Sequence, residues 1–261
     1  MDKYLTISAL GLYLLAFFGY VFSRKKPDVI FGRYLLLAGC LANFAAVAAR
    51  AAVAAHWPGI SLYEFGLLFN GLLAGILFVI DWRCRMPAVM PVALALLLVM
   101  TAVTAASFSL PRQLMPALKS WWLAVHISVA VLAYGLLAAS FCTAVLYLWQ
   151  TKITASNPDD TSKAAWLTDR LIVLAMPFLT LVIVTGAVWA EYAWGSYWRW
   201  DPKETWSLIT WLIYSAYFHF RLERGYDNPF VMSVASIGFI AVIFTYLGVS
   251  FLLPGLHSYL G

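Results

Sequence analysis

The sequence predicts an all-α integral membrane protein, a bundle of about eight transmembrane helices, and three observations carry that expectation. Of 261 residues, 63% are hydrophobic and only 11% are charged. The mean hydropathy of +0.83 is more apolar than a soluble globule of this length can hide. The apolar residues also fall into long stretches separated by short charged or Pro/Gly breaks. In lipid a helix satisfies its own backbone N–H and C=O groups, so such stretches read as a helix bundle.

A span needs about 20 apolar residues. On that rule the spans run Leu5–Phe22, Tyr34–Ala55, Leu62–Ile80, Ala88–Phe108, Trp122–Trp149, Leu171–Tyr192, Lys203–Arg221 and Val231–Leu253. The first has only Lys3 before it and no small-residue cleavage site after it, so it reads as a retained helix and not a signal peptide. The seventh opens on Asp201-Pro202-Lys203-Glu204: an N-cap, proline at the first helical position, and an acid three residues after the cap. The longest polar stretch runs from Thr151 to Asp169, and no soluble domain or internal repeat stands out. The expected organisation is one transmembrane domain over 1–261, with N-terminal spans in 1–110 and a ligand-handling core in 111–261.

Lysine and arginine counts set the expected orientation. Eleven lie in one set of loops (Arg24, Lys25, Lys26, Arg33, Arg83, Arg85, Lys152, Lys163, Arg170, Arg221, Arg224). Five lie on the other side (Lys3, Arg112, Lys119, Arg199, Lys203), and Arg50 falls inside a span. The positive-inside rule then puts both termini outside the cytoplasm. The formal charge of +5 sits at span ends and does not point to nucleic acid. Cys40, Cys84 and Cys142 are scattered singly, with no CxxC or CxxCH, and read as free buried thiols.

Half of the twelve tryptophans lie between Trp189 and Trp211, beside Arg199, Asp201, Lys203 and Glu204. Such a run offers flat apolar surface edged by charge, which suits a large planar ligand with ionised groups of its own, such as a porphyrin with two propionates. An aromatic belt at the membrane interface is the structural alternative. Histidine is scarce: His56, His126 and His257 fall on the side of the tryptophan loop, and imidazole is a ligand for haem iron. His219 lies 17 residues beyond Pro202. At 1.5 Å per residue that is roughly 25 Å along the helix, near the cytoplasmic end. The chain thus offers an outer and an inner candidate position. Helix-packing histidines are the alternative reading.

These residues carry a resemblance. Trp194-Gly-Ser-Tyr-Trp198-Arg199-Trp200-Asp201-Pro-Lys-Glu-Thr-Trp206-Ser-Leu-Ile-Thr-Trp211 resembles the WWD signature of haem-handling proteins, in the form carried by the CcsA (ResC) family of system II cytochrome c biogenesis. Leu118–His126, Tyr217–His219 and Gly255–Tyr259 resemble the segments holding that family's histidines. His56-Trp57-Pro58 with Leu62-Tyr63-Glu64 resembles an N-terminal feature.

The resemblance implies a bacterial cytoplasmic membrane protein, or a thylakoid one in a plastid. With a CcsB (ResB-like) partner it would carry haem b to the outer face and present it to the CxxCH motif of an apocytochrome c, as the haem-binding half of a cytochrome c synthase. His126 and His257 would be axial ligands of the outer haem and His219 a ligand of the inner one. Trp194, Trp198, Trp200 and Trp206 would flank the macrocycle. Arg199 and Lys203 either pair with propionates or with Asp201 and Glu204, and Asp201 serves chiefly as the helix cap. No residue reads as a conventional catalytic nucleophile or acid–base pair; catalysis would rest on proximity and orientation. The rivals are a system I type haem-delivery protein and, from another class, a membrane b-type cytochrome. The latter places two histidines on facing helices at matched depth, a pair this sequence does not supply.

Overall fold

A computed structural model describes residues 1–23, 30–54, 56–111, 118–153 and 158–253. The described residues contain helices and no strand, as expected for an all-α integral membrane protein. The chain divides into two compact units, Met1–Met115 and Pro116–Gly261.

In the first unit α1 (Asp2–Ser23), α2 (Ile30–Ala54), α3 (Leu62–Val79) and α4 (Met90–Ala106) follow one another up and down. α1 packs on α2, α2 on α3, α3 on α4 and α4 back on α1, which closes the ring. Ser61 caps α3 in a capping box with Glu64. α3 runs on through one π-helical turn, Ile80–Cys84, and stops at Arg85 in the left-handed region (φ 51°). Buried Arg50 is held by Glu64 Oε1 at 2.9 Å and by Asp2 Oδ2 at 3.4 Å. Toward the other end of the same helices, Asp81 Oδ2 accepts from Tyr20 Oη at 2.8 Å and from Arg33 Nε at 2.6 Å. A charge within a membrane bundle is costly unless paired, and both arginines are paired.

The second unit repeats the ring with α5 (Trp121–Ile153), α6 (Pro158–Trp194), α7 (Pro202–Arg224) and α8 (Pro229–Ile243): α5 packs on α6 and α8, and α7 on α6 and α8. α8 continues through a π-helical turn, Phe244–Gly248, and a last α-turn to Leu252. At the start of α6 and the end of α7, buried Asp169 accepts from Tyr217 Oη at 3.1 Å and from the Arg221 guanidinium.

Among the described residues seven helices are long and apolar enough to cross a membrane; α7, with 23 residues, is long enough but less apolar. The clearest departure from expectation is at the polar stretch Thr151–Asp169. α6 begins at Pro158 and is 37 residues long, well before the expected Leu171. Acidic Asp159 and Asp160 suit its first turn. Ala164, Ala165, Leu167 and Thr168 are buried, and Thr168 Oγ1 meets Thr143 Oγ1 of α5 at 2.7 Å. The helical period survives inside a sequence too polar to count as a span. Of the three cysteines, all free, Cys40 and Cys142 are buried and Cys84 is partly exposed.

Candidate functional site

The second unit brings most of the sequence-predicted site residues to one end. α5 and α6 are adjacent antiparallel helices, so the first turns of α5 lie beside the last turns of α6. His126, five residues into α5, faces Val182, Thr185, Gly186 and Trp189 of α6. Its Nδ1 is 3.1 Å from the Val182 carbonyl oxygen and 3.4 Å from Thr185 Oγ1. Its ring lies nearly parallel to the Trp189 indole, 12° between planes and 6.4 Å between centroids. Trp189 in turn meets Trp194 edge-on at 5.2 Å. A continuous line of rings thus joins the histidine to the start of the loop, at the spacings aromatic pairs favour.

The loop is built from its own polar groups. α6 stops at Trp194 and is followed by Gly195, whose positive φ of 71° suits glycine and whose N–H donates to the Glu191 carbonyl at 2.8 Å. Arg199 turns its guanidinium back to donate to the Trp194 carbonyl. Trp198 and Trp200 meet edge to face at 5.6 Å. Trp200 sits in the left-handed region at φ 58°, a conformation costly for a large side chain, and is 68% exposed.

A single carboxylate holds that geometry. Glu204 Oε2 accepts from Arg199 N at 2.8 Å and from Asp201 N at 3.1 Å, one on each side of Trp200. Buried Asp201 caps α7, its Oδ1 accepting from Lys203 N at 3.0 Å. The expected capping box is therefore present and serves as the loop's anchor. Both carboxylates accept from backbone N–H groups, and the guanidinium donates to a carbonyl.

The other expected residues lie elsewhere. Trp206, on α7, packs at 4.2 Å against Phe244 in the π-helical turn that follows α8. His219 is exposed near the far end of α7, its ring 5.5 Å from that of Phe220. His257 falls outside the described residues. In the first unit, His56 is half-buried with Nδ1 2.9 Å from the Trp57 carbonyl oxygen. The turn behind it is fixed by Glu64, whose Oε2 accepts from Gly59 N and Ile60 N at 3.2 and 3.1 Å. Two residues outside the expected ligand set carry structural weight, one of them the Glu204 expected as the capping acid. Trp189 bridges His126 to the loop, and Glu204 clamps Trp200. Both lie within the tryptophan-rich run, which was the available signal.

Residues 3–257 match the family described as cytochrome C assembly protein. Cytochrome c biogenesis protein CcsA of Gloeobacter violaceus is 34% identical over 265 residues, covering 78% of this chain and 78% of that protein. The CcsA of Guillardia theta is 32% identical over 294 residues, covering 98% and 92%. The CcsA of Chlamydomonas reinhardtii is 43% identical over 164 residues, which span 59% of this chain and 46% of that longer protein. Among solved structures, cytochrome c heme lyase CcmF superposes with a TM-score of 0.72 at 21% identity. That match covers 95% of this chain and 46% of CcmF and speaks to the fold. On this match across nearly its whole length, the chain belongs to the cytochrome c assembly protein family and is a membrane protein of cytochrome c biogenesis.

Proposed function

We propose that this chain binds haem b and, with a CcsB (ResB-like) partner, presents it outside the cytoplasm to the CxxCH motif of an apocytochrome c. The observation that carries this reading is the line of rings from His126 through Trp189 to Trp194, which ends on a loop with an exposed indole and an exposed guanidinium. Imidazole suits the iron, indole faces suit the macrocycle, and Arg199 with Lys203 suits the propionate edge. In this reading His126 and His257 would hold the iron of the outer haem. Trp194, Trp198, Trp200 and Trp206 bound the site, and Asp201 fixes the loop. The haem-handling core is 111–261.

His219 would ligate haem on the inner side. Its exposure suits a site whose second ligand comes from the partner. The lysine and arginine asymmetry favours both termini and the loop outside, in a bacterial cytoplasmic or a thylakoid membrane. Thioether formation needs each cysteine S–H to add across a vinyl double bond, so the site's contribution is to hold the two reactants in register.

The test is the oxidised and reduced absorption spectrum of the chain purified with a CcsB-like partner, for wild type and for His126→Ala, His219→Ala and His257→Ala. Expected is a bis-histidine haem b spectrum, altered by the two outer substitutions and depleted by the inner one. Folded protein free of haem after haem-replete growth would overturn the reading.

A further inference from the structure

Gly186 is the lone glycine in the 37 residues of α6. A glycine within a helix costs about 1 kcal/mol relative to alanine, so its position asks for a reason. The reason visible here is His126. A Cβ at position 186 would lie 2.9 Å from His126 Cε1 and 3.1 Å from Nδ1. These are atoms of a rigid ring and cannot fold aside as the end of a flexible chain would. The parallel Trp189 indole packs against the same ring.

We propose that Gly186 is the seat of His126. The gap it leaves in α6 admits the imidazole so that Nδ1–H donates to the Val182 carbonyl, and this fixes Nε2 as the nitrogen that meets iron. The inference rests on the reading of His126 as a haem ligand and adds which nitrogen ligates and what holds it. A carbonyl oxygen can only accept, so the 3.1 Å contact in a neutral ring requires the proton on Nδ1. The second group facing Nδ1 agrees. Thr185 gives its hydroxyl hydrogen to the Leu181 carbonyl at 2.6 Å, and its oxygen faces Nδ1 as an acceptor at 3.4 Å. With the proton placed there, Nε2 carries the ring's basic lone pair. Metal-bound histidines characteristically donate their other ring N–H to a carbonyl or carboxylate, which orients the ring and raises its basicity. Gly186 is thus a positioning residue, acting on the ligand through His126.

Two measurements test this. Haem is titrated into the haem-free complex of the full chain and its partner, for wild type, Gly186→Ala and His126→Ala, each shown to be folded by monodisperse elution. Gly186→Ala should bind haem at the outer site about 10–100-fold more weakly, with a shifted iron–imidazole stretching band. Wild-type affinity and an unchanged band in folded Gly186→Ala, alongside loss of the outer spectrum in His126→Ala, would overturn the seat alone. An unchanged spectrum in His126→Ala would overturn the ligand reading beneath it.

The second measurement needs no glycine variant. Nitrogen-15 spectra of histidine-labelled, haem-free chain in lipid, with His126 assigned by its absence in His126→Gln, should show a proton on Nδ1. A proton on Nε2 would overturn the proposal.

Discussion

The two units close the same ring of four helices and tie one end of it in the same way, with a buried aspartate between a tyrosine hydroxyl and an arginine: Tyr20–Asp81–Arg33 in the first and Tyr217–Asp169–Arg221 in the second. They differ at the other end. In the first unit, buried Arg50 is neutralised by Glu64 and Asp2, and Glu64 also ties down the turn after His56. In the second, the corresponding end holds an imidazole on a helix carbonyl, a line of indoles, and carboxylates engaged by backbone N–H groups. The contrast teaches where ligand chemistry can reside. Charges that satisfy one another build structure, whereas in the haem-binding reading the ring faces and the exposed Arg199 guanidinium, which already gives one N–H to the Trp194 carbonyl, would meet a large planar partner.

The comparison breaks most visibly at Arg50. Arg50→Met leaves the Glu64 carboxylate buried without its cation, and removing one partner of a buried pair costs about 3–5 kcal/mol. Thermal unfolding in detergent should show that loss, and Arg50→Met with Glu64→Met should recover part of it. A single variant as stable as wild type would deny the first unit's ion network a structural role. The shared clasp gives the next largest effect. Asp169→Asn weakens its bonds to Tyr217 and to the partly exposed Arg221, with an expected loss of about 1.5–3 kcal/mol, and Asp81→Asn should lose a similar amount. Unequal losses would separate two clasps built from the same residue types, Asp81 accepting through Oδ2 alone and Asp169 through both oxygens.

The loop anchor is smaller in energy and larger in consequence. Glu204→Ala removes the acceptor for two backbone N–H groups and half of the capping box, for about 0.5–2 kcal/mol. The sharper expectation is faster proteolysis within 195–201 and weaker haem binding in a protein that still folds. Unchanged proteolysis would remove Glu204 from its role as the clamp.

What the sequence made legible follows how local each signal is. Span positions were readable because long apolar runs need no partner to be recognised, and the Asp201–Glu204 box was readable because all its groups lie within four residues. The start of α6 lies outside the expected span because its first three turns keep helical periodicity while falling below the apolar density of a span. His126 and the tryptophans were readable as candidates from residue type. Their pairing through Trp189 was not, since it depends on α5 and α6 lying antiparallel with Gly186 opening the space between them. The left-handed Trp200 leaves no mark in sequence at all, because a non-glycine residue there is held by its surroundings and not by its own preference.

Trp200 supplies the finest test of the contrast, because it separates the stored backbone cost from the exposed ring. Trp200→Ala removes the indole and keeps a side chain at φ 58°; Trp200→Gly removes the indole and the conflict with the left-handed region together. The glycine variant should therefore unfold at a higher temperature than the alanine variant, by an amount corresponding to about 1 kcal/mol, offset in part by the greater freedom of the unfolded chain. Haem affinity should fall equally in both, since both lose the same ring. Equal stabilities would mean that the Glu204 clamp works against no strain. An affinity that follows stability would instead make Trp200 a folding residue, one that belongs with the charge networks of the first unit and not with the ligand surface of the second.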